Sequence, residues 1–260
     1  MNETIRTLQQ RTSLRVFTDQ AIDQATKDLL FDCAMKAPTA GNQMLYTMLD
    51  ITDQNLKVKL AESCDHQDFI AKAPLVVIFI ADHQKWFDYY QLNDVKGFCA
   101  GKEDRVFEGP QESDLLLAIE DAMIAAQNMV IAAESLDIGS CYIGDIVENY
   151  EDIRELLNLP EWGFPIGMLV FGYRDLTKER IHPKRFNKEY VVFENQYHRL
   201  SDNQINAMFA DLDAHFNKAN QIGASNMAQQ FYNRKTGALF AKEMARSVRV
   251  AMKKWDGRKL

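Results

Sequence analysis

Cysteine is scarce in this chain and never paired in sequence. Cys33, Cys64, Cys99 and Cys141 are scattered over 260 positions with no CxxC, so no disulfide framework is read. Histidine is as sparse. His66, His83, His182, His198 and His215 form no HExxH and no Cys/His zinc spacing, so no metal site is expected. Glycine-rich phosphate loops are missing too: there is no GxGxxG after the early strand and no GxxxxGK[ST] anywhere. A phosphate, if bound, must therefore be held by side chains. Positive charge is in deficit, 30 Lys and Arg against 37 Asp and Glu, for a net −7. That disfavours nucleic acid or anionic membrane as partner, since both select a concentrated basic face. Apolar stretches such as Pro74–Ala81 are too short to cross a bilayer, and the opening MNETIRTLQQRTSLR lacks the apolar core of a signal peptide. The expectation is a reduced, cytoplasmic, metal-free protein.

What the chain does contain is ordinary globular stock. Apolar residues make up 47% and charged residues 26%, enough for a core in one α/β or α+β unit with extensions. Residues 22–36 place Ile22, Leu29, Leu30, Cys33 and Ala37 near one helical face, and Pro38 with Gly41 closes the segment. Tyr46–Ile51 reads as a strand before the helix QNLKVKLAESC. Leu75–Ala81 is a continuous β-branched run, the pattern of a strand covered on both faces, and Phe164–Phe171 is a second. Between them, residues 114–136 carry Leu116, Ile119, Met123, Ala126, Val130 and Ala133 at helical spacing, which predicts a central buried helix. The aromatic, charged stretch 86–110 reads as an insertion or lid rather than core. From Ser201 the chain turns helical, first INAMFADLDAHFNKA and then one long helix ending near Trp255, either an appendage or an arm around a partner.

Four short segments carry chemistry. In Arg11-Thr12-Ser13-Leu14-Arg15, an extended backbone would put Arg11, Ser13 and Arg15 on one face, two guanidiniums flanking a hydroxyl. Such a set clamps a phosphate well, because Arg binds anions bidentately and stays charged. In 37–43, Pro38, Thr39, Gly41, Asn42 and Gln43 offer a tight turn with donors and acceptors for a polar ring edge. In 139–146, Gly139 is placed just past a helix end, Gly144 allows close approach of backbone amides, and Tyr142 and Ile143 can pack on a flat ring. Cys141 there reads as a small buried residue rather than a nucleophile. The last is the basic run His182-Pro183-Lys184-Arg185. Alone, each also fits a plainer role: a solvated charged stretch, a helix-to-strand turn, a helix cap before a strand, a surface loop.

Their order and spacing add what the single segments lack. RTSLRVFTDQAI followed by AMKAPTAGNQMLY, then Gly-x-x-x-Ile-Gly-Asp and a late basic pair, resembles the nitroreductase family of FMN enzymes over about residues 1–195. The resemblance implies an α+β fold with a mixed or antiparallel central sheet flanked by helices. It also implies an intertwined homodimer that binds FMN at the subunit interface. The FMN-binding domain would be 1–195, with the insertion at 86–110, and 196–260 a helical extension of the kind found in the larger, NADPH-preferring branch. Arg11, Thr12, Ser13 and Arg15 match the positions that hold the FMN phosphate and ribityl chain, and Pro38, Thr39 and Asn42 the turn given by the other subunit. Gln67 matches a polar contact to the isoalloxazine ring. Tyr142, Ile143, Gly144 and Asp145 match the segment against the ring, where a backbone amide reaches flavin N5. Arg185, with Lys184, matches a second basic contact to the phosphate, though Pro183 stands where many relatives have the Lys of a Lys-x-Arg pair. Arg234 and Lys235 could meet the 2′-phosphate of NADPH or simply face solvent.

The implied chemistry passes hydride from NADPH or NADH through the flavin to nitroaromatic, quinone or flavin acceptors, with no catalytic side-chain acid or base. Two alternatives stay open: specialised flavin chemistry under a lid, and a flavin-binding storage or regulatory protein.

Overall fold

The computed structural model describes residues 2–259. In chain order its elements are α1 (Glu3–Gln10), α2 (Gln24–Met35), β1 (Tyr46–Asp50), α3 (Gln54–Ser63), α4 (Phe69–Lys72), β2 (Leu75–Asp82), α5 (Gln84–Leu92) and α6 (Val95–Cys99). There follow α7 (Glu112–Glu134), β3 (Ile138–Ile143), α8 (Tyr150–Leu156), β4 (Gly163–Tyr173), α9 (Asp202–Asp213), α10 (Met227–Arg234) and α11 (Leu239–Met252). Side-chain caps start several helices: Asn2 accepts from Ile5 N–H, Asp23 from Thr26 N–H and Asp53 from Leu56 N–H.

The four strands form one antiparallel sheet in the order β1-β2-β4-β3, as the α+β expectation requires. All eight residues of β2 are buried, and the period of two explains why. Leu75, Val77 and Phe79 join Leu169 and Phe171 of β4 in a core with α2 and α7. Val76, Ile78 and Ile80 face the other way, into a second core with α3, α4 and α8. The β2–β4 register slips between Phe79 and Ile80, where Pro165 of β4 has no N–H to give the ladder.

Several expectations need correction at the level of faces and boundaries. In α2 the buried residues are Leu30 and Ala34, while Leu29 is exposed. In α7 the small residues Ala118, Ala122, Ala125 and Ala126 lie in the core, whereas Leu116 is 59% exposed and Met123 is also exposed. A helix apolar all round gives periodicity no way to choose its inner face. Gly139 does not end that helix. Ser135 is its C-cap, Asp137 takes the left-handed conformation (φ 58°), and Gly139 lies within β3. The 86–110 stretch contributes to the core: Phe87 is buried against Trp162, with Trp86 and Phe107 packed alongside. The single long C-terminal helix is two, α10 and α11, separated at residues 235–238.

The chain divides into two compact units. One takes the sequence up to Arg180 and resumes at Glu243; the other is Ile181–Lys242. In the first, the returning segment is deeply anchored. Ser247, Ala251 and Trp255 are buried, and Gly109 N–H donates to the Gly257 carbonyl at 3.0 Å.

Candidate functional site

The Arg11–Arg15 segment is extended and laid on the open edge of β3. Ser13 bridges Ser140 in parallel, and Leu14 N–H donates to the Ser140 carbonyl at 2.9 Å. An edge strand offers unpaired backbone groups, and this segment takes them. Alternation then sorts its side chains. Thr12 is buried, and its carbonyl and hydroxyl both accept from Arg174, at 2.6 and 3.3 Å. Ser13 and Arg15 are exposed and Arg11 half-buried on the opposite side. Arg174 is itself held by Glu134, which also receives Arg180 at 2.7 Å, so a carboxylate on α7 braces the segment from behind. Gly139 makes room for this: a Cβ there would fall 2.6 Å from Leu14 and 2.9 Å from the Arg174 guanidinium.

Arg11, Ser13 and Arg15 lie near Cys141, and Arg11 near Tyr142 as well. Burial pushes the Cys141 thiol up, opposed by Arg15, by the Ser13 hydroxyl and by Arg11. Burial likewise pushes Tyr142 up to about 12, against the pull of Arg11. Neither arginine has a carboxylate partner among the described residues. Two unneutralised guanidiniums flanking the Ser13 hydroxyl form an anion-receptive edge.

Beyond β3 the chain makes a 3-10 turn, Asp145–Val147, entered through Gly144. The N–H groups of Gly144 and Asp145 have no acceptor among the described residues. A Cβ on Gly144 would meet nothing within 4 Å, so the backbone here fronts open space. Gln67, from the loop after α3, reaches this turn: its Nε2 donates to Asp145 Oδ2 at 2.6 Å and to the Cys64 carbonyl at 2.8 Å. Ile143 is buried in the sheet and Tyr142 hydrogen-bonds Gln127 of α7.

The Pro38 turn is scaffolded separately. Gly41, Asn42 and Met44 all take positive φ (57°, 57° and 51°), and the strain is held by one buried acid. Asp121 of α7, 3% exposed, accepts from Ala40 N–H at 2.8 Å and Leu45 N–H at 3.2 Å. The Thr39 hydroxyl accepts from Met44 N–H, and Trp86 Nε1 donates to the Gln43 carbonyl. Among the described residues no hydrogen bond joins Pro38, Thr39 or Asn42 to the Arg11–Arg15 segment.

Lys184 and Arg185 lie in the second unit, where they line a cavity of about 540 Å³ with Phe186, Tyr190, Phe209 and His215. Lys184 is ion-paired to Asp211, whereas Arg185 has no such partner among the described residues. Arg234 lies over the Phe231 ring and Lys235 over Phe240.

Sequence reasoning missed Asp121, Glu134 and Arg174, which position the predicted residues. The first two had a signal: acids at inward positions of an Ala- and Met-rich helix.

The sequence model of the Nitroreductase family matches residues 8–173. FMN reductase (NADPH) of Bacillus subtilis (strain 168) is 30% identical over 204 residues, covering 78% of this chain and 77% of its own. Oxygen-insensitive NADPH nitroreductase of Salmonella typhimurium is 30% identical over 202 residues, 78% of each. Among solved structures, NfrA2 of B. megaterium superposes with a TM-score of 0.77 at 26% identity, over 95% of this chain and 98% of that one. The chain belongs to the nitroreductase family.

Proposed function

We propose that this protein is an NAD(P)H-dependent FMN oxidoreductase that works as a homodimer on small aromatic, quinone-like or free-flavin acceptors. The observation that carries the reading is the pair Arg11 and Arg15, left without acidic partners on one face of an edge segment that leads to the open Gly144 turn. The residues suit the cofactor in kind: guanidiniums and the Ser13 hydroxyl for its phosphate, free amides at Gly144 and Asp145 for its ring, and Gln67 for a polar ring atom. When bound, FMN supplies hydride acceptance and donation at N5, serving NAD(P)H and the acceptor in turn.

The chain's own residues do the holding. Arg11 and Arg15 anchor the anion, with Thr12 fixing their strand through Arg174. The Gly144 and Asp145 amides are rigid donors, fixed by the closed 3-10 turn. Tyr142 and Ile143 flank that turn. Pro38, Thr39 and Asn42 serve the second copy's site, which accords with their separate scaffolding on α7. Arg185, without an acidic partner among the described residues, is the freer of the late basic pair to bind an anion.

The homodimer is supported by apolar side chains on α7 and α1 that one chain leaves uncovered: Leu116, Leu117, Met123 and Ile124, with Ile5 and Leu8.

The test is spectroscopic. Purified protein should carry flavin bands, release FMN on acid treatment, and lose colour within seconds of mixing with NADPH or NADH. Arg11→Ala with Arg15→Ala should give a folded, colourless protein. Two charge-assisted contacts at about 1.5–3 kcal/mol each weaken FMN by roughly 10²–10⁴ in Kd. Stoichiometric FMN in that double variant would refute the clamp.

A further inference from the structure

Beside the Gly144 turn stands a carboxyl pair with no part in the roles assigned so far. A 3-10 turn has three residues per turn, so side chains three apart eclipse, and the turn at 145–147 puts Asp145 and Glu148 on one side. Glu148 N–H closes the turn on the Asp145 carbonyl at 2.9 Å. Glu148 is 6% exposed, and its Oε1 has no hydrogen-bond partner among the described residues. Asp145 is already engaged by the Gln67 amide, both of whose N–H groups are used, on Asp145 and on the Cys64 carbonyl. That leaves the Gln67 side-chain oxygen as the group with no hydrogen bond among the described residues.

Among the described residues no ion pair reaches either carboxyl: the charged groups acting on Glu148 are Asp145, Asp65 after α3 and Glu243 from α11, all acidic. Cys141, with Arg15 and Arg11 around it, lies on the Asp145 side. Arg246 is nearby in sequence to Glu243 but is committed to Glu243 and Glu151. Two adjacent carboxylates, half-buried and buried, cannot both ionise cheaply in such surroundings.

We propose that Glu148, set against Asp145 by the turn, positions Gln67 through it and sets the charge beside the flavin ring, neutral while protonated and adding one negative charge when its proton leaves to solvent. The proposal rests on the placement of FMN at the Gly144 turn. Burial first and Asp145 second, with Asp65 and Glu243 behind, push the Glu148 carboxyl up to about 7. The change of charge therefore falls in the neutral range, where a second negative charge next to the ring opposes reduction. Glu148 is a positioning residue: it acts through Asp145 and Gln67.

The experiment follows the midpoint potential of the bound flavin from about pH 5 to about pH 9 in the wild type, Glu148→Gln and Glu148→Asp. The wild type should show a break in slope near pH 7, absent in Glu148→Gln and restored, though displaced, in Glu148→Asp. A break that survives in Glu148→Gln overturns the proposal. Because a variant could fold poorly, carboxyl ¹³C resonances of the wild-type protein supply a second readout. One glutamate should titrate near pH 7 and carry the Gln67 side-chain amide signals with it. If no glutamate titrates above about pH 5.5, the pair is refuted. If one does in a protein that binds no flavin, the pair is supported and the flavin placement is what fails.

Discussion

At the scale of single residues, the site depends on acids that touch no part of the proposed ligand. Asp121 holds two amides of a turn with three left-handed residues, and an alanine there leaves both donors without acceptor. Asp121→Ala should cost about 3–6 kcal/mol in urea unfolding, two charged hydrogen bonds of ordinary size, and should also loosen flavin. Asp121→Asn, which keeps one acceptor oxygen, should fall between. Glu148 carries a pH signature. Its carboxyl ionises near 7 in the fold but near its ordinary value of 4.5 once unfolded. Between those values the folded state binds the extra proton, so stability falls as pH rises through the window. Glu148→Gln should flatten that fall in urea midpoints taken across it; an unchanged slope would assign the pH dependence elsewhere. Arg11, Ser13 and Arg15 were legible because alternation needs only neighbours in sequence. Asp121 stood out only as an acid in an apolar helix; its partners were hidden, because they lie 76 and 81 residues away.

At the scale of elements, the clamp is only as firm as the strand that carries it. Glu134 of α7 binds Arg174 at 3.1 Å and Arg180 at 2.7 Å, and Arg174 passes the restraint to Thr12. Glu134→Gln leaves the buried Arg174 charge without its counter-ion, so a loss of about 3–5 kcal/mol is expected by chemical denaturation. Weaker FMN binding should follow, since the clamp segment loses its brace. Replacing Glu134 and Arg174 together by apolar residues should cost less stability than either change alone. The strands were readable from β-branched runs; β2 alternates between two cores, and the run is apolar because both are dry. α7 was readable as a helix but not in its orientation. Its alanines go inward, where close approach to β2 and α2 favours small side chains, and its large residues are left outside. Gly139 was misplaced for a related reason. A left-handed stop usually takes glycine or asparagine, and here Asp137 supplies it two residues earlier.

At the scale of the whole molecule, the outward leucine, isoleucine and methionine of α7 are the surface a second copy would cover. Ile124→Glu combined with Leu116→Glu should yield a monomer by light scattering, and a colourless one if the Pro38 turn serves the partner's site. A coloured monomer would confine the site to one chain. Of the helices 202–213 and 239–252, only the second carries buried residues, Ser247 and Ala251. That return has a consequence for how the protein is made. Trp255 and Ala251 fill the same core as Leu45, Phe87, Tyr150 and Phe164, yet leave the ribosome after all of them. The first unit therefore emerges with a tryptophan-sized gap and cannot seal it while Ala251 and Trp255 remain in the exit tunnel. Nascent chains stalled before residue 243 should stay sensitive to protease, and resistance should arrive once residues 247–255 are clear of the exit tunnel.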